Sequence, residues 1–223
     1  MKVILFGATG MVGQGVLREC LLAPDVERVL SVGRAPTGRT DPKLEELVHS
    51  DFNDFTSVEA RFAGYDACFF CLGISSAGLS EAEYRRITYD ITLAAARSLV
   101  RVAPRLTFIY VSGQGTDESE KGRSMWARVK GQTENALRAL PFRAAYMFRP
   151  GIIQPLHGAH SKTTLYRAGY VVAWPLFPLL KAVAPRSITT TERVGLAMLR
   201  VARQGAPKPL LDNADINDLA AAA

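Results

Sequence analysis

Residues 3–13 read Val3-Ile-Leu-Phe-Gly-Ala-Thr-Gly-Met-Val-Gly13. The run Val3-Ile-Leu-Phe6 fits a strand buried on both faces, and a helical pattern starts at Gly10 and runs to Leu22. Between them Gly7-x-x-Gly10-x-x-Gly13 forms the turn. A chain that reverses this tightly needs small residues, and an anion approaching the helix N-terminus needs backbone N–H groups free of side chains. Glycine spacing alone also occurs in purely structural turns. Strand before and helix after are what make it a dinucleotide-binding signal. Gly7, Thr9, Gly10, Met11, Val12 and Gly13 are therefore expected at a pyrophosphate.

The rest of the chain repeats the same alternation. Val29–Val32, Glu46–His49, Ala67–Cys71, Leu106–Val111 and Ala144–Phe148 read as further strands. Tyr84, Ile87, Ile91, Ala94 and Ser98 recur at helical spacing up to about Val102, and Pro104 stops them. Trp126, Val129, Thr133, Ala136, Leu137 and Leu140 mark one face of another helix, closed by Pro141. Thr189 and Glu192 have capping-box spacing ahead of Val194, Ala197, Met198 and Val201. Short buried strands alternating with amphipathic helices predict an α/β fold, a doubly wound parallel sheet of the Rossmann type. No repeat or linker divides the chain, so one domain over 1–223 is expected. The irregular stretch 151–190 would form a substrate-side or lid extension.

The second strand ends at Ser31-Val-Gly33-Arg34 with no carboxylate. NAD-preferring folds usually place Asp or Glu at this point to hold the ribose 2′-OH. A guanidinium instead attracts a 2′-phosphate and binds it bidentately. Arg34 thus favours NADP(H), although a solvated loop arginine has the same sequence.

Composition narrows the class. The 223 residues are 48% hydrophobic and 22% charged, with 27 basic and 21 acidic residues, a formal charge of +6. Basic residues are scattered, with no basic tail and no aromatic-interleaved stripe, so nucleic acid is not expected as a partner. Cys20, Cys68 and Cys71 are too few for a disulfide framework. A strand starting at Lys2 leaves no room for a signal peptide, and a cytoplasmic setting is expected. The apolar stretch 168–180 is broken by Pro175 and Pro178, too short for a transmembrane span. Within it, Tyr170–Leu180 suits a lid, a dimer patch or a membrane-contacting helix. A monomer or homodimer with an unknown small-molecule ligand is expected.

Two clusters suggest metal or redox chemistry and are set aside. Cys68 and Cys71, three apart on one strand, point to opposite faces. His157-x-x-His160 sits in a glycine-containing loop with no carboxylate or thiol beside it in sequence.

Taken in order, Phe6-Gly-Ala-Thr-Gly-Met-Val-Gly13, Asp51-Phe52, Cys71-Leu-Gly73, Val111-Ser112, Val129-Lys-Gly131 with Glu134, and Phe148-Arg-Pro-Gly151 resemble a known family. It is the atypical short-chain dehydrogenases, especially the Tat-interacting-protein-like and NmrA-like branches. The similarity runs from Lys2 to about Pro155, and more weakly to Ala202. It implies that Asp51 and Phe52 flank the adenine, that Cys71, Leu72 and Gly73 line the cofactor, and that Pro150, Gly151 and Ile152 lie by the nicotinamide. It further implies a Ser-Tyr-Lys set in which Ser112 orients a carbonyl and Lys130 holds the ribose. The tyrosine is missing, because position 126 is tryptophan.

Helical spacing puts Trp126 and Lys130 on one face. Indole N–H donates a hydrogen bond but does not ionise usefully, so it cannot act as general acid. Tyr89, Tyr110, Tyr146, Tyr166 and Tyr170 are other phenols, and no spacing singles one out. Two readings follow: an NADP(H)-dependent oxidoreductase or epimerase-like enzyme on a small carbonyl or alcohol, or a silent NADP(H)-sensing regulatory or assembly protein.

Overall fold

The computed structural model describes residues 1–160 and 185–223. Parallel strands β1 (Lys2–Phe6), β2 (Arg28–Gly33), β3 (Leu44–Val48), β4 (Ala67–Phe70), β5 (Thr107–Val111), β6 (Ala144–Arg149) and β9 (Leu210–Asp212) form a seven-stranded sheet. The order is β3-β2-β1-β4-β5-β6-β9, so the winding direction reverses between β1 and β4. Ligands of such sheets bind outside the strand C-termini at that reversal.

Alternation along β1 builds two cores at once. Val3 and Leu5 pack with α1 (Met11–Leu22), α5 (Thr191–Gln204) and α6 (Asn213–Ala221) on one face. Ile4 and Phe6 pack on the other, with α3 (Ile91–Val102) and Leu137 of α4 (Met125–Arg138). The period-two geometry of a strand produces this division. It also separates Cys68, which lies in the second core, from Cys71, which packs against the first.

Helix α3 is entered through α2 (Glu81–Arg85) and a π-helical turn at Arg86–Asp90. Its true start is Ser80, whose hydroxyl accepts from the Glu83 N–H while the Glu83 carboxylate accepts from the Ser80 N–H. The capping-box expectation at Thr189 and Glu192 needs correction by one position. Thr190, in extended backbone, is the cap and its Oγ1 accepts from the Arg193 N–H at 3.0 Å. Thr189 is instead buried inside β8 (Ile188–Thr190). Glu192 turns to His157, 2.5 Å away, so that histidine does have a carboxylate beside it, brought by the fold from 35 residues on.

The irregular stretch expected at 151–190 begins and ends in regular structure. Strand β7 (Ile152–Gln154) pairs in parallel with β8 as a small second sheet. The edge strand β9 was invisible to hydrophobic patterning because Leu210–Asp212 has only three residues. The run 168–180, with Tyr166, lies outside the described residues. No helix among the described residues is long and apolar enough to cross a membrane.

Candidate functional site

The glycine turn lies at the reversal point and presses on the end of β4. Gly7 has φ +81°, and a Cβ there would stand 2.7 Å from the Leu72 nitrogen. At Gly13 a Cβ would meet the Gly7 oxygen at 2.1 Å, so α1 packs directly onto the turn that precedes it. Gly10 differs. Its φ of −81° is ordinary, and the nearest atom to an added Cβ is the Gly7 oxygen at 3.3 Å. Among the described residues no other atom comes within 4 Å of that side of the turn.

Helix α1 begins at Gly10 with no side-chain cap and no acidic residue in its first turn. Its first N–H groups and the positive end of its dipole therefore face outward uncompensated, the arrangement that attracts an anion. Gln14 ties this end down, donating to the Thr9 carbonyl at 3.1 Å and to the His160 carbonyl at 3.0 Å. Thr9, Met11 and Val12 are half-buried around it.

The chain matches the NAD(P)H-binding family over residues 7–147. The chain belongs to that family. It is an atypical short-chain dehydrogenase-like protein of Rossmann fold. Among curated relatives, protein fmp52, mitochondrial, of Emericella nidulans is 29% identical over 159 residues, covering 68% of this chain and 66% of that protein. Protein HTATIP2 of Rattus norvegicus is 26% identical over 154 residues, covering 68% of this chain and 62% of that one. The chain thus spans just under two thirds of each. Among solved structures, the Bordetella bronchiseptica enzyme WbmF in complex with NAD+ superposes with TM-score 0.66 at 17% identity, over 99% of this chain and 76% of that one. UDP-glucose 4-epimerase of Thermotoga maritima gives 0.65 at 15% identity, over 95% and 76%. At such identities the likeness speaks for the fold. The expectation of a cytoplasmic protein is contradicted by the fungal relatives, which are named mitochondrial. A strand beginning at Lys2 reports on how the sheet starts and carries no information on compartment.

The remaining residues named from sequence divide by position. Arg34 is exposed just past β2, and its guanidinium has no partner among the described residues. Asp51 is exposed, with Oδ1 accepting from the Asn53 N–H at 2.9 Å. Phe52 is buried, edge-on to Phe6 at 6.3 Å and to Phe55 at 5.5 Å, so its ring serves the core. The Cys71 N–H continues the ladder to the Phe6 carbonyl at 3.0 Å, and burial pushes its thiol pKa up. Leu72 is half-buried and Gly73 exposed beside the glycine turn. Pro150 is buried, the Gly151 N–H donates to Asn213 Oδ1 at 2.9 Å, and Ile152 is 48% exposed.

Ser112 is where the structure departs most from expectation. It is 6% exposed, and its Oγ lies 2.5 Å from Glu134 Oε1 and 3.1 Å from the Phe148 carbonyl. Both partners are acceptors, so the single hydroxyl proton is committed inside the protein. Glu134 is wholly buried and is clamped by Arg149 through contacts of 2.5 and 3.0 Å. The ion pair holds the arginine firmly charged. A buried carboxylate needs such compensation. The expectation that Ser112 orients a ligand carbonyl is therefore corrected: it has no proton left to give.

Lys130 donates to the Ser112 carbonyl and stands 5.9 Å from the Tyr110 ring centroid. Burial lowers its pKa to about 8, opposed by the Glu134 charge. Trp126 is half-buried one turn before it, its indole edge 3.3 Å from where a Cβ on Gly115 would stand. None of Tyr89, Tyr110 and Tyr146 replaces the missing phenol. Tyr110 is 1% exposed and burial raises its pKa. The Tyr146 hydroxyl accepts from the Ala206 N–H. Tyr89 lines a separate cavity of about 460 Å³ between residues 53–56 and α3.

In the sequence Glu134 and Arg149 carry the resemblance without an assigned role, and Gln14 is not singled out. A charged residue at i+4 from Lys130, next to the apolar face through Val129 and Thr133, was the available signal for Glu134.

Proposed function

We propose that this protein binds NADP(H) and acts as a regulatory or assembly protein with little or no reductase turnover. The observation that carries the reading is the missing phenol of the expected set. Trp126 stands where the phenol would be, and the Ser112 hydroxyl is spent on Glu134. Cofactor binding needs none of these groups. It uses the open side of Gly10, the uncapped α1 terminus, Arg34 at the 2′ position and Lys130 toward the ribose. When bound, the cofactor supplies a hydride donor or acceptor. What the expected set then lacks, among the described residues, is the phenol that would move the accompanying proton, and loss of a positioned acid typically costs about 10²–10⁴ in rate. One domain over 1–223, as monomer or homodimer, suits this reading.

The 2′-phosphate part of the proposal has its own test. NADP(H) should bind at least about tenfold more tightly than NAD(H), roughly 1.4 kcal/mol, and Arg34→Asp should invert that preference. Calorimetry with both cofactors measures it. Equal affinity in the wild type removes Arg34 from the account.

Turnover is tested by Trp126→Tyr. The wild type should oxidise NADPH slowly or undetectably with small aldehydes and ketones. The variant places a phenol one turn from Lys130, whose charge stabilises the phenolate. A gain of about tenfold or more is expected. Brisk wild-type turnover that Trp126→Phe leaves unchanged would instead establish the oxidoreductase reading, with an acid elsewhere.

A further inference from the structure

The Ser112 hydroxyl at the end of β5 is withdrawn from any ligand. Gln114 is two residues on and exposed. Its N–H donates to the Pro150 carbonyl at 2.8 Å, which fixes the loop against the Pro150-Gly151 segment. Its side-chain oxygen lies where a Cβ on Gly151 would come within 2.6 Å, so the missing side chain at 151 is what makes room for it. Among the described residues the carboxamide has no hydrogen-bond partner. On its other side, Gly115 carries the indole of Trp126.

We propose that Gln114 is a recognition residue for the carboxamide of the nicotinamide ring. This rests on the cofactor reading above. A primary amide presents a donor pair and an acceptor side by side, and another primary amide satisfies both at once. A simple carbonyl uses only the donor. A carboxylate offers acceptors alone, so it leaves the Gln114 oxygen facing a like partner. The chemistry therefore favours an amide and disfavours the corresponding acid.

The test compares three probes by calorimetry: NADP+, its nicotinic-acid counterpart, and ADP-ribose 2′-phosphate, which lacks the ring. The wild type should prefer NADP+ over the acid by about tenfold, the scale of one or two hydrogen bonds. Gln114→Ala should erase that preference while leaving ADP-ribose 2′-phosphate binding unchanged. Gln114→Lys should turn the preference toward the acid. A ratio that survives Gln114→Ala overturns the proposal. So does an equal loss for all three probes, which would mean a structural role in the loop. If the wild type fails to bind even ADP-ribose 2′-phosphate, the cofactor reading falls and this one with it. If it binds that probe but does not distinguish amide from acid, only this one falls.

Discussion

Gly10→Val is expected to weaken NADP(H) binding by about a hundredfold or more, some 2.7 kcal/mol, while the protein stays folded. The structure separates these two outcomes. At Gly7 and Gly13 a side chain would collide with backbone at 2.7 and 2.1 Å, so substitution there damages the turn itself. At Gly10 the backbone is extended and, among the described residues, a Cβ meets only the Gly7 oxygen, at 3.3 Å. Branched methyl groups would then fill the open side, where the pyrophosphate must approach the N–H groups of α1. Circular dichroism and thermal unfolding close to wild type, with titration heats lost, are the predicted pair. Normal binding by Gly10→Val would make the turn structural and remove the basis for a cofactor site.

Glu134→Ala is expected to cost about 3 kcal/mol, near the lower end of the range for breaking a buried ion pair. Two features keep it from the upper end. Arg149 retains Glu118 at 3.7 Å and is 19% exposed, so its charge is partly compensated. Ser112 keeps the Phe148 carbonyl as an acceptor at 3.1 Å. For a chain of this size the loss corresponds to a fall in Tm of about 6–12 °C. Urea unfolding measures it directly. A cost below about 1 kcal/mol would mean that the carboxylate is not the anchor of this network, and the claim that Ser112 is committed would lose its support.

The sheet was legible because buried parallel strands and amphipathic helices carry different periods. The glycine turn was legible because its neighbours agree with it. The features that escaped are those whose signal is not periodic. β7, β8 and β9 have three residues each, too few to show alternation. The Thr190 cap was displaced by one because Thr189, Thr190 and Thr191 are chemically equivalent in sequence and differ only in backbone conformation. The His157–Glu192 pair and the Ser112–Glu134–Arg149 network join residues 35, 22 and 15 apart, contacts that only the folded chain creates. Ser112 shows the limit of motif transfer. Residue type and place match, yet its proton is directed inward, and the neighbouring Gln114 belongs to no motif.

NADPH is expected to bind without being consumed. The most direct measurement mixes wild-type protein with NADPH and a panel of small aldehydes and ketones. Reduced-nicotinamide fluorescence reports binding, and its near-ultraviolet absorbance reports oxidation, in the same sample. The account predicts a saturable fluorescence change at constant absorbance. Rapid loss of absorbance that depends on the protein and on one carbonyl compound, or no fluorescence change at all, would contradict it.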